Sequence, residues 1–146
     1  MSTKHPVYVV LNRNGEALAR RLAAATGGDV HGLQGRTNAP DVSFTDTLQH
    51  IAALFGDGMP VIGICAAGIL VRAVSPLLAD KNDEPPVIAV AEDGSAVVPV
   101  LGGHKGANGI ARVLAAVLGI DAAVTTLEAH CATAEVAFGL VSVESP

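Results

Sequence analysis

What most constrains this chain is its punctuation: short apolar runs, each too short for a helix, alternate with longer stretches of helical periodicity. Val7-Tyr8-Val9-Val10-Leu11 opens the series, and Pro60-Val61-Ile62-Gly63-Ile64-Cys65 and Val87-Ile88-Ala89-Val90-Ala91 continue it. Runs of this kind, rich in β-branched residues, read as strands buried on both faces, the habit of parallel sheets. Between them the spacing predicts a helix over residues 16–25, stopped by Thr26-Gly27-Gly28, after a turn at Asn12-Arg13-Asn14-Gly15. A second helix follows Asp46 as N-cap, with Gln49 three residues on and Leu48, Ile51, Ala52 and Phe55 on its buried face. A short helix is expected over residues 69–78 and a strong one over residues 108–118, capped by Gly119. Residues 29–33 form a short strand, and residues 122–125 are expected to add a last parallel one. Glu92-Asp93-Gly94-Ser95 signals a hairpin, and Pro99 either places the strand after it at an edge or ends that strand nearby. The fold class is therefore α/β: a mostly parallel sheet with helices on both faces, a Rossmann-like three-layer arrangement, with one β-hairpin. Residues 127–146 are weakly patterned, with room for a short helix and a terminal strand.

Bulk properties narrow the function. A length of 146 residues, half of them hydrophobic and 16% charged, suits one domain with a real core and argues against disorder. A net charge of -5 and few aromatic side chains disfavour a nucleic-acid partner. No apolar stretch approaches membrane-spanning length and no signal-peptide core is present. Cys65 and Cys131 fit no zinc or redox spacing, so no metal site is expected and a cytoplasmic location is the default. His5, His31, His50 and His130 read as surface or structural residues, His50 facing outward from its helix.

Chemistry concentrates in two glycine-rich strand-to-helix corners, expected at the carboxyl ends of the strands where open sheets bind ligands. The first, residues 65–72, holds Gly68 and Arg72, and reads equally as an anion site or as a plain turn with a solvated arginine. The second, residues 101–108, packs Gly102, Gly103, His104, Lys105, Gly106 and Asn108 together, denser than a turn requires. It suggests an anion-binding nest with Lys105 as counter-charge and His104 as hydrogen-bond donor or proton carrier. Its glycine spacing is neither the dinucleotide fingerprint nor a P-loop. Asp80, Lys81, Asp83 and Glu84 form a charged loop that reads as acid–base groups or as local ion pairs.

The same residues carry a resemblance. Residues 65–81, then Glu84-Pro85-Pro86-Val87, then Leu101-Gly102-Gly103-His104 with Ala107-Asn108, Ala111-Arg112 and Thr125-Thr126, resemble in order the CbiG family of cobalamin biosynthesis. Its members are known as cobalt-precorrin-5A hydrolases, which open a lactone of a corrinoid intermediate and release acetaldehyde. The runs at residues 30–36 and 89–99 are similar to the form fused in front of precorrin-3B C(17)-methyltransferase. The chain departs from the family in having Gly106 alone between Lys105 and the Ala-Asn pair, and Glu84 in place of Asp. The resemblance implies a single domain over residues 1–146, the N-terminal part of a longer polypeptide, which binds or processes a precorrin or cobalt-precorrin. It implies His104, Asp80 and Glu84 as catalytic groups, and Gly68, Arg72, Lys81, Gly102, Gly103, Lys105, Gly106, Asn108, Thr125 and Thr126 as substrate contacts. No cofactor is implied in this domain, and S-adenosylmethionine would belong to a methyltransferase domain in cis. A non-catalytic docking module is the alternative.

Overall fold

The computed structural model describes residues 4–126. The sequence expectations for residues 127–146, with His130 and Cys131, lie outside them. Strand β1 (Val7–Val10) is buried along its whole length. Helix α1 follows (Arg13–Thr26) and starts earlier than the periodicity suggests. Asn12 is extended and its side chain accepts the Gly15 N–H at 2.8 Å, so the expected turn is the helix's own first turn. Gly27, at φ 73°, ends the helix.

Strand β2 (Asp29–Leu33) leads to a loop held by α1: the buried Glu16 carboxylate accepts the N–H groups of Asn38 and Ala39 at 2.7 and 2.8 Å. Then comes β3 (Val42–Phe44), which the sequence pattern does not announce. It is three residues long, too short for its Val42–Phe44 alternation to stand out, and only Phe44 is buried. Helix α2 (Thr47–Gly56) is capped by Asp46 as expected and buries Ile51 and Phe55, but Leu48 is 44% exposed. After β4 (Val61–Ile64), α3 (Ala67–Val74) passes into a 3-10 turn over Ser75–Leu77, where Pro76 stops the α-helical ladder. Strand β5 (Val87–Val90), β6 (Val97–Leu101) and α4 (Ala107–Leu118) complete the described part.

One six-stranded sheet results, in the order β3-β2-β1-β4-β5-β6. All neighbours are parallel except β5 and β6, which are joined by the expected hairpin. Alternate strand residues feed two cores. Tyr8, Val10, Ile62, Ile64, Ile88 and Val90 pack under α1 and α4. Val7, Val9, Val61, Val87 and Ala89 pack under α2 and α3. The three-layer expectation therefore holds, and the fully buried aliphatic runs are explained by helices on both faces.

Residues 122–125 are not a strand. They run beside β6 on one printed backbone bond, Ala123 N–H to Val97 carbonyl at 2.9 Å. The bond from Ala91 N–H to Ala96 carbonyl (3.0 Å) turns the backbone groups of Ala96 and Val98 toward β5, so the backbone groups of Val97 and Pro99 point along the sheet away from β5. Pro99 lacks the N–H that would continue a ladder on that side.

Candidate functional site

The antiparallel course of β6 decides where each corner lies. Val87, the first residue of β5, pairs with Leu101, the last of β6. The second corner therefore leaves the sheet at the amino ends of the parallel strands, whereas the first leaves β4 at the carboxyl ends. The expectation that both corners share the carboxyl edge is corrected by this reversal. About 13 Å of strand separates the two ends.

At the amino end, residues distant in sequence converge. Gly102 has φ 84°, and a Cβ there would lie 2.5 Å from the Pro85 carbonyl oxygen and from Pro86 Cα. Only glycine lets β6 exit so close against the end of the charged loop. His104 and Lys105 follow in a 3-10 turn, Gly103–Lys105, bounded by left-handed Gly102 and Gly106; both side chains are exposed. The corner is less of a nest than its composition suggests. The N–H groups of Lys105 and Ala107 both go to the Gly102 carbonyl (2.9 and 3.2 Å), and that of Gly106 to Gly103 (3.4 Å). What remains for a ligand is the head of α4, which has no side-chain cap, together with the His104 and Lys105 side chains.

Asn108 is buried in the first turn of α4, and its Nδ2 donates to Thr126 Oγ1 at 2.8 Å. Two residue groups of the sequence reading, Asn108 and Thr125-Thr126, are thus brought to one place. One amide hydrogen of Asn108 is already used there in holding Thr126. Asp80 and Glu84 line a cavity of about 280 Å³ with Asp83, over an apolar floor of Phe55, Leu77 and Pro85. The Asp80 carboxylate accepts the Asn82 N–H at 2.9 Å, and Lys81 is exposed. Pro85 belongs both to this cavity and to the seat of Gly102, so the end of the acidic loop and the start of the glycine–histidine corner meet there.

Gly68 and Arg72 stand apart from this group, at the carboxyl end. Gly68 lies in the first turn of α3, which has no side-chain cap. The Arg72 Nη1 atom lies 3.4 Å from where a Gly68 Cβ would be, so its guanidinium reaches back toward the start of the helix. A second cavity of about 300 Å³ opens beside it, lined by Cys65, Ala66, Ala67, Ala89, Ala91, Glu92, Ala96 and Val98. Burial, then the Glu92 carboxylate, pushes the Cys65 thiol up to about 11, which leaves it a poor nucleophile at neutral pH. Sequence reasoning missed the clasp over this cavity: Asn12, while capping α1, donates from Nδ2 to Glu92 at 2.6 Å. Asn12 standing three residues before Gly15 was the available signal for the cap, but nothing local announces Glu92. No described helix is long and apolar enough to cross a membrane.

Comparison with known proteins bears on both ends. Residues 49–128 match the family model described as cobalamin synthesis G N-terminal. The chain is 36% identical over 134 residues to a cobalt-precorrin-5A hydrolase of Salmonella typhimurium, covering 86% of this chain and 37% of that protein. It is also 36% identical over 77 residues to a cobalt-precorrin-5A hydrolase of Priestia megaterium, covering 52% of this chain and 21% of the other. The chain thus spans well under half the length of these relatives. A crystal structure of a cobalamin biosynthesis protein G homolog from Sulfolobus solfataricus superposes with a TM-score of 0.61 at 19% identity, over 86% of this chain and 38% of that one. At that identity the likeness is one of fold.

Proposed function

Because the chain belongs to the cobalamin synthesis G N-terminal family, we propose that it binds a precorrin or cobalt-precorrin at the amino edge of its sheet and takes part in opening a lactone of that macrocycle. The observation that carries this reading is the seating of Gly102 on Pro85 and Pro86, which joins the His104 corner to the Asp80–Glu84 cavity. Precorrins carry acetate and propionate groups around their rim. Lys105 and Lys81 supply cations for those carboxylates, and the head of α4 supplies N–H donors. The apolar floor of Phe55, Leu77 and Pro85 offers contact to ring edges.

Hydrolysis of a lactone adds water to the carbonyl carbon and breaks the ring C–O bond, so a proton must leave the water and another reach the departing oxygen. For acetaldehyde to leave, that freed hydroxyl then gives up its proton and becomes the aldehyde carbonyl while its carbon's bond to the macrocycle breaks, the electron pair and a proton passing to the macrocycle. An imidazole suits that traffic at neutral pH, and His104 stands exposed between the lysine and the glycines. Asp80 or Glu84 assists from the adjoining cavity. Asn108 and Thr126 position the segment that borders the corner. Gly68 and Arg72 lie at the far end of the strands, so in this reading they contact a different part of a large ligand or a neighbouring domain. S-adenosylmethionine belongs to a methyltransferase domain joined in cis, and this domain uses no cofactor of its own.

The test is incubation of the chain with a lactone-bearing precorrin, followed by mass spectrometry for addition of water and release of acetaldehyde. His104→Gln is expected to lower turnover by about 100-fold or more while binding persists, and Lys105→Ala to weaken binding. Binding without ring opening in the wild-type chain would replace the hydrolase with a docking module, and no binding at all would overturn the reading.

A further inference from the structure

One pair of titratable side chains lies outside both ends of the site. His31 sits within β2 and is buried, and His50 lies in α2 above it. His31 Nδ1 and His50 Nε2 are 2.7 Å apart. On its other side the His50 ring stacks on Phe44 of β3, with centroids 4.5 Å apart and planes 6° from parallel. These rings are where β2, β3 and α2 meet.

A gap of that length holds one hydrogen. In the neutral pair, one ring donates its N–H and the other accepts with a lone pair. One added proton can settle on an outward nitrogen, His31 Nε2 or His50 Nδ1, and the contact survives as a charge-assisted bond. A second added proton makes both rings imidazolium, with every ring nitrogen bearing hydrogen. The gap would then hold two hydrogens between two like charges, and the contact must part.

We propose that the His31–His50 contact is an acid-operated latch that fastens α2 to the β2–β3 edge of the sheet and releases when both imidazoles are protonated. The charged groups acting on His31 are Asp29, at the head of β2, and Asp41, just before β3. Asp41 is itself tied to Arg20 of α1 at 2.8 Å and accepts the Val30 N–H at 2.8 Å. Both carboxylates favour the first proton and help the singly charged pair. From β1 the neighbour of His31 is Val9, and β3 brings Val42, Ser43 and Phe44, none of which titrates. His50 is the titratable residue of α2, and α3, packed beside it, carries only Arg72, which reaches toward Gly68. Burial lowers both rings, and His31 lowers His50 further. A group depressed below its unfolded value near 6.5 contributes stability above that pH and loses it as pH falls. The direction therefore agrees with release in acid. Phe55, farther along α2, lines the cavity that bears Asp80 and Glu84, so loosening α2 reaches that wall.

The latch is tested on the full chain by following the ring nitrogens of His31 and His50 in ¹H–¹⁵N spectra while acidifying, with amide hydrogen exchange in parallel. The rings should titrate in two linked steps. Protection of β3 and α2 amides should fall about tenfold relative to β4 as the pH drops below about 6.5. His50→Gln keeps a hydrogen-bonding amide at the Nε2 position and leaves His31 as the one titrating ring, so the contact is never forced apart and the acid loss of the ratio should shrink. Independent titration of both rings near the ordinary histidine value, an unchanged protection ratio, or the same acid loss in His50→Gln would each overturn the proposal. If His50→Gln does not fold, the wild-type ring titrations decide it alone.

Discussion

Tyr8 shows how one polar atom is accommodated in an aliphatic core. Its ring is fully buried under α1, and its hydroxyl meets Thr26 Oγ1 at 2.6 Å. The single hydroxyl hydrogen of Thr26 goes to the Gly27 carbonyl at 2.9 Å, so Tyr8 is the donor. Burial pushes the phenol up to about 12. A raised acid binds more protons folded than unfolded, so its contribution is present below pH ~10 and is lost as pH rises toward 12, on the order of 2–3 kcal/mol. With one Tyr and no Trp in the sequence, absorbance at 295 nm reads this residue alone. The folded chain should titrate near 12 and the denatured chain near ~10; a folded midpoint at the denatured value would show the hydroxyl reaches water. His50 marks the limit of local reading at this scale. Helical spacing sets it on an outward face, because nothing in the helix reports that Phe44 of an unannounced strand stands against it.

Among elements, the second corner separates glycines that look alike in sequence. Gly102 and Gly106 both have left-handed φ, but a Cβ at Gly102 meets Pro85 and Pro86 whereas one at Gly106 meets nothing within 4 Å. Gly103 has ordinary φ and open space. Gly102→Ala should therefore cost at least ~2 kcal/mol, combining left-handed strain with a backbone clash, while Gly103→Ala should be nearly neutral. Urea unfolding midpoints of the two variants check this, and equal midpoints would refute it. The corner itself was legible, because glycine density between a strand and a helix has few other uses. Which glycine matters was not, since the Pro85–Pro86 seat comes from another segment. The early start of α1 was partly legible: Asn12 is a good cap, but Gly15 disguises the first turn.

At the scale of the molecule, the alternation of apolar runs and helices was enough for the three layers, and the hairpin signal was enough for the reversal at β6. The consequence of that reversal, two glycine-rich corners at opposite ends of one sheet, follows only when the hairpin is combined with strand order. The last expected strand failed for a related reason. Residues 122–125 have strand composition, but Pro99 denies them a partner on β6. The same denial acts between molecules. A sheet edge with unpaired donors invites a strand from another copy, and repeated pairing builds an aggregate. Here one edge is the short β3, and the other has a gap in its donor row at Pro99. Among the described residues, then, neither edge is a good template for a strand of another copy. Pro99→Val would restore the missing donor, and light scattering at high concentration should then rise above the wild-type chain; no rise would mean that something other than the proline guards this edge.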